Sequence, residues 1–420
     1  MSITKPRGTQ DLFGPELLAF KHVMNQCVKL ADIFGFEHVI TPLFENAELF
    51  HRNNENSDIV KKELYEFKDR GDRLLALRPE ATASIIRFLG ENKLLKKQPL
   101  PMKVYTYGSM FRYERPQSGR QREFQQFDVE IVGADSEYEV ANVINFGNEL
   151  LKQLGLLSKI ELRINFIGSF ASRTKWIKAL QKYFEKYKDK LSALSQERLS
   201  KNPLRILDDK VDGKLDFVKK APQINEFLTK EENDEFTKVL KLLDTLKIKH
   251  KITPNLVRGL DYYTNVVFEF VDQDSDITVI GGGQYDNLVA ELTGEDLRSI
   301  GLAVGVNRCA NLLDAQVLQK IQKQNQKRIL LIGTKDIDSN LLLTLCQKLI
   351  NQDIKIVYDP RFKDISKAIK FCERANYRYL AIVGKNEVQN NQLTLKDLDT
   401  KEQLMLEQNK LIKWWTEIKE

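Results

Sequence analysis

Residues 104–133 read VYTYGSMFRYERPQSGRQREFQQFDVEIVG, and this stretch decides the fold of the chain. Alternate positions are mostly aromatic or aliphatic, and the positions between them are mostly charged or carry amides. A period of two predicts strands, so we expect two long strands joined by a basic loop, 115–123. The apolar set is Tyr105, Tyr107, Phe111, Tyr113, Phe127, Val129 and Ile131, and the polar set is Arg112, Glu114, Gln126, Asp128 and Glu130, interrupted by Phe124.

The charged face of this strand pair has two interpretations. An antiparallel sheet commonly leaves one face in water, and the charged side chains would then be solvated. This face, however, mixes arginine, glutamine and carboxylates and has few of the lysines and threonines typical of a solvated strand. The pattern alone leaves open whether the face meets water or lines a polar site.

The same residues resemble motif 2 of the class II aminoacyl-tRNA synthetases. Phe111-Arg112, Glu114 and the run from Phe124 to Glu130 carry the resemblance, and Arg-Pro-Gln in the loop is similar to the histidyl-tRNA synthetases in particular. The resemblance implies an α+β fold: a mixed, mainly antiparallel sheet with flanking helices, a helical insertion and a C-terminal α/β domain.

Composition sets broad limits. The 420 residues predict two or three domains, and 42% hydrophobic with 30% charged residues is typical of a soluble globular protein. The net charge of +6 is compatible with a polyanionic partner. The four cysteines and four histidines form no cluster with metal-ligand spacing, which argues against a structural zinc site. Without a secretory signal or a membrane-length apolar run, we expect a cytoplasmic protein with free thiols.

The N-terminal region predicts an arm, a helix from about Pro15 to Phe34, and a strand over 36–44 that contains Pro42. A helix, strand and proline in this order resemble class II motif 1, which forms the dimer interface in that family. A plain helix–turn–strand unit fits these residues equally well. The resemblance implies a homodimer.

Leu74 to Thr82 ends a strand and opens a helix, with Glu80 in the first helical turn. A carboxylate there is explained by the positive helix end alone. The stretch from Arg78 to Thr82 is also similar to the Arg-Pro-Glu-Gly-Thr of histidyl-tRNA synthetases, which holds the amino group of histidine. Ala81 replaces the glycine, and its methyl group is expected to crowd the loop.

Residues 256–264, LVRGLDYYT, closely resemble a signature of the histidyl-tRNA synthetases. A turn bounding a strand, with a stacked aromatic pair, is the simpler interpretation. Under the resemblance, Arg258 is a fixed cation for a carboxylate and a phosphate, because guanidinium stays protonated. A tyrosine hydroxyl can hydrogen-bond an imidazole nitrogen.

Two later glycine-containing segments depart from the family at single positions. In the first, 281–289, Gln284 stands where the family has arginine, and Tyr285 is expected in the pocket wall. The second, 300–308, resembles class II motif 3, with Asn307 in place of glutamate before Arg308. The retained arginine is expected to hold the nucleotide.

The domain organisation follows from composition and alternation. Charge-rich residues from about 170 to 250 predict a helical insertion, which in the family packs over the tRNA acceptor arm. The polar stretch 320–328 is interpreted as a linker, and strand–helix alternation beyond it predicts a small, parallel-rich α/β domain. We therefore expect a catalytic domain over 1–325 and an anticodon-binding domain over 326–420, with Trp414-Trp415 packing inside the latter.

The resemblance covers nearly the whole chain and implies a histidine–tRNA ligase that uses ATP with Mg²⁺, L-histidine and histidine tRNA. Arg112 and Arg258 would flank the α-phosphate as the catalytic pair. The remaining implied sites are the histidine site (Glu80, Thr82, Gln126, Glu130, Tyr262, Tyr263, Tyr285), with Glu130 and Tyr263 reading the ring; the ATP site (Arg112, Glu114, Arg308); and tRNA contacts (Arg115, Gln117, Arg120, Arg122).

Two other functions are alternatives to a histidine–tRNA ligase. A catalytically dead paralogue in the family regulates histidine biosynthesis, but it lacks the C-terminal domain and the intact signature that this chain has. A pure RNA-binding protein would not need Arg112, Glu130 and Arg258 together.

Overall fold

The structure is a computed structural model that describes residues 3–51, 63–114, 120–134, 136–207, 209, 211–258 and 262–419. The strands are β1 Glu37–His38, β2 Phe44–Asn46, β3 Tyr65–Lys68, β4 Leu74–Leu77, β5 Met102–Phe111, β6 Glu123–Val132, β7 Ile160–Phe166, β8 Lys251–Ile252, β9 Thr264–Asp272, β10 Thr278–Gln284, β11 Ser299–Gly305, β12 Ile329–Gly333, β13 Ile356–Tyr358, β14 Tyr379–Val383, β15 Gln392–Asp397 and β16 Gln403–Glu407. The helices are α1 Gly14–Ile33, α2 Glu48–His51, α3 Thr82–Glu91, α4 Leu94–Lys97, α5 Glu137–Gln153, α6 Phe170–Glu185, α7 Ala193–Lys201, α8 Leu204–Leu207, α9 Asp216–Lys219, α10 Lys230–Thr245, α11 Asp286–Thr293, α12 Val306–Asn311, α13 Ala315–Gln326, α14 Ser339–Ile350, α15 Ile365–Ala375, α16 Lys385–Gln389 and α17 Gln408–Lys419.

The chain divides into two compact units, Met1–Asp314 and Ala315–Glu420. The predicted division at residue 325 falls inside α13, which belongs to the second unit. The linker expected over 320–328 is therefore helical as far as Gln326. None of the residues of α13 is buried, which explains why its composition reads as a polar connector.

The first unit is built on an eight-stranded sheet of order β1-β5-β6-β11-β10-β9-β7-β8. The six inner strands pair antiparallel, and the short edge strands β1 and β8 pair parallel with β5 and β7. The two strands expected from residues 104–133 are β5 and β6, paired from Met102 opposite Val132 to Phe111 opposite Glu123. The mainly antiparallel sheet with flanking helices matches the predicted α+β class.

The apolar face of the β5–β6 pair packs against helices. Phe127 and Phe146, which lies on α5, are both fully buried, and their ring centroids are 6.3 Å apart. The Tyr105 ring stacks 5.1 Å from Phe127 on the same face. Burying one such side chain stabilises the fold by roughly 1.5–3 kcal/mol. This packing fixes the register of β6 and so turns its alternate residues to the opposite side of the sheet.

The strand expected over 36–44 is divided at its proline. β1 pairs with β5 in the main sheet, whereas β2 pairs with β4 in a separate three-stranded sheet of order β2-β4-β3. Pro42 lies between them and has no N–H to offer a ladder, so a continuous strand would have lost a hydrogen bond there.

The residues expected to form a helical insertion are helical from α6 to α10 and have their own core around Trp176. The indole Nε1 of Trp176 donates to the carbonyl of Pro222 at 2.7 Å. Glu232, in the capping box of α10, also accepts from the Ser169 backbone N–H at 2.8 Å and the Ser172 hydroxyl at 2.7 Å. One carboxylate thus joins the N-terminal ends of α6 and α10.

The second unit has a five-stranded sheet of order β13-β12-β14-β15-β16. β12 pairs parallel with both β13 and β14, as the strand–helix alternation predicts, and the antiparallel strands β15 and β16 were not predicted. Trp415 is buried, and the Trp414 ring meets Tyr379 edge-on at 5.0 Å. The tryptophan pair packs inside this unit, as expected.

Candidate active site

The charged face of β6 is turned into the protein. Asp128 and Glu130 are 2% and 1% exposed, so the solvated interpretation of this face is wrong. Their partners on β11 are small: Ala303 lies opposite Asp128, and Gly301 lies opposite Glu130. A Cβ atom on Gly301 would stand 1.7 Å from Glu130 Oε2, so the glycine provides the space for this carboxyl group.

Glu130 is held by two hydroxyl groups from other elements. The Thr82 hydroxyl donates to Oε1 at 2.6 Å, and the Tyr285 hydroxyl donates to Oε2 at 2.6 Å. Burial raises the pKa of Glu130 well above its ordinary value, although both hydrogen bonds oppose the change. The carboxyl group is therefore fixed in position by two donors, and its burial favours the neutral form.

Glu80 lies just before α3, which begins at Thr82, and so precedes the first helical turn in which it was predicted. Its two oxygens accept from the backbone N–H groups of Thr82 at 2.6 Å and Ala83 at 3.0 Å, and the Tyr262 hydroxyl donates to Oε2 at 3.4 Å. Burial nevertheless raises the pKa of Glu80. Ala81 has φ −99°, an ordinary value for an L-residue, and packs in the core, so its methyl group is accommodated.

Arg258 forms an ion pair with Glu269 on β9. The Thr278 hydroxyl donates to the other oxygen of that carboxylate at 2.9 Å. Gly281 lies against the guanidinium, and a Cβ atom there would be 2.6 Å from Nη1. Within the described residues, Arg258 Nε is buried and has no hydrogen-bond partner.

Two further arginines come within electrostatic reach of one another. Arg112 Nε donates to the carbonyl of Pro79 at 2.9 Å, and Arg308 Nη1 donates to the carbonyl of Thr278 at 2.7 Å. Burial lowers the pKa of Arg308, and the nearby Arg112 lowers it further, whereas Glu114 acts in the opposite direction. Two cations held close together are a suitable site for a polyanion.

The three tyrosines predicted at the histidine site each contact a different charged residue. The Tyr263 ring centroid is 4.8 Å from that of Tyr262 and 5.6 Å from the guanidinium of Arg258. Tyr262 reaches Glu80, and Tyr285 reaches Glu130. The structure thus brings the predicted histidine-site tyrosines around the two buried glutamates, with Tyr263 beside the cation.

Part of the basic loop is described. Arg120 pairs with Glu114 at 3.0 Å, and Arg122 donates to the Glu114 carbonyl at 3.3 Å while its guanidinium lies 4.0 Å from the centroid of the Tyr113 ring. Arg115 and Gln117 lie outside the described residues, as do residues 259–261 of the signature.

The two departures from the family pattern have structural partners. Gln284 Oε1 accepts from the Val266 backbone N–H at 3.0 Å, next to an irregularity in the pairing of β9 with β10. Asn307 Oδ1 accepts from the Gln125 backbone N–H at 2.9 Å and so connects α12 to β6. Each amide satisfies a backbone donor.

Several residues at this site were not given a role from the sequence. Arg78 is almost fully buried; its Nη1 donates to Thr41 Oγ1 at 3.1 Å, and its Nε donates to the Ser109 carbonyl at 3.1 Å. Glu269 and Thr278 position the cations described above. Asp128 could have been found, because it occupies the polar parity between Gln126 and Glu130.

The chain is similar in sequence and in structure to known histidyl-tRNA synthetases. A family model described as histidyl-tRNA synthetase matches residues 8–309, and one described as an anticodon-binding domain matches 325–418. The histidine–tRNA ligase of Mycoplasmoides gallisepticum is 44% identical over 98% of this chain and 99% of its own, and that of Mycoplasma pneumoniae is 45% identical over 96% of each. A solved structure of S. aureus histidyl-tRNA synthetase superposes with a TM-score of 0.79 at 31% identity, covering 99% of this chain and 100% of that one.

In the described part of the chain, no helix has the length and apolar character to cross a membrane. No group of three or more histidine, cysteine or acidic side chains there can hold a metal ion.

Proposed function

The chain belongs to the histidyl-tRNA synthetase family and is a histidine–tRNA ligase, and from this premise we propose which side chains carry each step. ATP and histidine give histidyl-adenylate and pyrophosphate, and the histidyl group then passes to the 3′ end of its tRNA. The proposed division of roles rests on Glu130. This carboxyl group is buried, and the hydroxyls of Thr82 and Tyr285 hold its two oxygens. Glu80 lies within electrostatic reach of it.

Adenylate formation needs cations more than it needs a base. A carboxylate is already a nucleophile at neutral pH, so its oxygen attacks the α-phosphorus directly while the bond to the β-phosphate oxygen breaks. Negative charge grows on the α-phosphate oxygens, where Arg112 and Arg258 stabilise it. The unpaired, buried Nε of Arg258 supports this role, because a buried N–H donor is rarely left without an acceptor. ATP enters as its Mg²⁺ complex, with Arg308 and Glu114 at the nucleotide.

Recognition of the imidazole falls to Glu130 and Tyr263. A buried carboxyl that accepts a ring N–H is left unpaired by an apolar ring of similar size, and the cost of that unpaired group rejects the wrong amino acid. Tyr285 supports this role by fixing Glu130 Oε2, and Tyr262 and Tyr285 enclose the ring. The hydroxyls of Thr82 and Tyr285 hold the carboxyl group of Glu130 in place without any contribution from the ligand.

Glu80, Thr82 and Gln126 orient the amino and carboxylate groups of histidine. Glu80 is held rigidly by two backbone N–H groups at the start of α3, which supports its role as a fixed acceptor. Because Glu80 is already ordered, less conformational entropy is lost when the substrate binds.

Contacts with tRNA are spread over the chain. We assign the acceptor end to Arg115, Gln117, Arg120 and Arg122, because a basic loop next to the site can reach phosphates and base edges. The second unit, which matches an anticodon-binding domain, takes the anticodon.

The enzyme is further proposed to act as a cytoplasmic homodimer. Large apolar side chains exposed near the predicted motif 1, Ile33, Ile40 and Phe44, support a partner surface there, and the four free cysteines suit a reducing compartment. Sedimentation equilibrium of the purified protein tests the dimer, and a monomer at micromolar concentration would contradict it.

ATP–pyrophosphate exchange measured with each of the amino acids tests the activity and its specificity. Exchange is expected with histidine and at background level with the others. A protein that only bound RNA would give no exchange with any amino acid.

A further inference from the structure

Two buried acceptors on β6 have no donor. Gln126 Oε1 and Asp128 Oδ2 make no hydrogen bond within the described part of the chain, and solvent does not reach either atom. Residues two apart on a strand point to the same side, so both acceptors lie on the face that carries Glu130. Buried polar atoms are rarely left unpaired, and a pair of orphaned acceptors indicates a missing donor.

The charges around these acceptors favour a cation. Asp128 and Glu130 lie within electrostatic reach of each other and of Glu80. The cations that act on Asp128 are Arg78 and Arg112, since the charge of Arg258 is already paired with Glu269. Burial opposes ionisation of all three carboxyl groups, so an added positive charge that favours their ionised forms would suit this site. A primary ammonium supplies one positive charge and three N–H donors.

We propose that Asp128 is a further substrate-binding residue, whose free Oδ2 accepts a hydrogen bond from the ammonium group of histidine beside Gln126 Oε1. The proposal rests on the proposed function and adds a second carboxylate to the ammonium site around Glu80. The ammonium supplies both missing donors from one group and also places a positive charge beside the buried carboxyl groups.

In the free enzyme, Asp128 holds a proton. Burial and then the neighbouring Glu80 raise the pKa of Asp128 to about 8, against the opposing effect of Arg78 and Arg112. Its partners across the sheet, Thr106 on β5 and Ala303 on β11, do not titrate. Below pH 8 the carboxyl group therefore carries a proton, and histidine binding releases that proton to solvent as the ammonium takes its place.

Binding of two ligands to the Asp128→Asn variant tests the contact. Asparagine matches the size of the protonated carboxyl but cannot ionise. Loss of a charged hydrogen bond weakens binding about tenfold or more, so the dissociation constant for histidine is expected to rise by that factor. Imidazolepropionate, which has the ring and carboxylate but no ammonium, is expected to bind variant and wild type within about twofold of each other. Thr106→Val, an isosteric change directly across the sheet, is the matched control and should affect neither ligand selectively.

Proton release gives a second readout that needs no variant. Titration calorimetry of histidine at pH 7, in two buffers of different ionisation enthalpy, should show release by the wild type and less release by Asp128→Asn. Equal weakening of both ligands would show that Asp128 only balances Arg78, and unchanged histidine binding or absent proton release would also overturn the proposal. A wild type that neither binds nor activates histidine would instead refute the proposed function itself, and this inference with it.

Discussion

Glu130 lies directly across the sheet from Gly301, and the space that a side chain at position 301 would fill is occupied by the carboxyl group. The glycine is required by a close approach within the sheet and not by its own backbone conformation. Because Thr82 and Tyr285 hold both carboxyl oxygens, Glu130 cannot move aside without breaking a hydrogen bond. If Glu130 reads the ring as proposed, specificity for histidine depends on the missing Cβ of Gly301 on the neighbouring strand.

Gly301→Ala is expected to displace Glu130 and to lower histidine-dependent exchange about a hundredfold, a typical consequence of misplacing a site group by about 1 Å. The variant should also unfold at lower temperature. Adding Glu130→Ala relieves the overlap, so the double variant should recover thermal stability but not activity. An active Gly301→Ala enzyme with an unchanged Michaelis constant for histidine would contradict the role of this contact.

Glu130→Gln should mainly raise the Michaelis constant for histidine, by about tenfold or more, because a charged acceptor is exchanged for an amide that also presents N–H groups. The Michaelis constant for ATP is the internal control and should change little. Histidine dependence identical to that of the wild type would remove Glu130 from the ring-binding site.

Arg258→His should slow adenylate formation about a hundredfold or more while ATP binding changes little, because the cation acts where charge develops in the transition state. Single-turnover formation of the adenylate separates the two effects. Glu269→Gln retains Arg258 but removes its ion pair and should give a smaller loss. Pyrophosphate exchange at the wild-type rate in Arg258→His would refute the catalytic role.

The stability of the protein should depend on Asp128 in a pH-dependent manner. The folded state keeps a proton on Asp128 up to about pH 8, whereas the unfolded chain, with its ordinary value of 3.8, has already lost it. Between these values the contribution of Asp128 to stability falls as pH rises, by roughly 1.4 kcal/mol per pH unit.

Asp128→Asn removes that dependence. Relative to the wild type, the variant should gain thermal stability from pH 5 to pH 8, and the difference should level off above pH 8. Melting temperatures of both proteins at intervals across this range provide the measurement. A difference that is constant with pH would show that Asp128 is ionised throughout.

Gln284→Met should lower the melting temperature with little effect on the histidine dependence of exchange. Methionine fills a similar volume but leaves the buried Val266 N–H without its acceptor, at a cost of about 1–3 kcal/mol. A melting temperature equal to that of the wild type would show that the amide bond is dispensable.

The strands of the site follow from local pattern, whereas its burial does not. Alternation along residues 104–133 is a property of adjacent residues, and it predicts β5 and β6. Whether Glu130 meets water depends on Thr82 and Tyr285, which are 48 and 155 positions away in the chain. The place of Glu130 in the site was predicted from the family resemblance, because the periodicity of the strand does not indicate which face is buried.

The omissions have a similar cause. Glu269 and Thr278 look like ordinary strand residues, and their importance arises from the side chains that the fold places beside them. The polar stretch 320–328 is interpreted as a linker because Ile321 is its one apolar residue, which is too few to show a helical period. Asp128 was visible on the polar face, but the missing hydrogen bond at its Oδ2 becomes apparent only in three dimensions.

Thr278 supports both Arg258 and Arg308. Its hydroxyl donates to the Glu269 carboxylate that pairs with Arg258, and its carbonyl accepts a hydrogen bond from Arg308. The two arginines are therefore mechanically linked through one residue at the beginning of β10. A displacement of that strand end would move the supports of both side chains, so under the proposed roles a change at one phosphate contact would also affect the other.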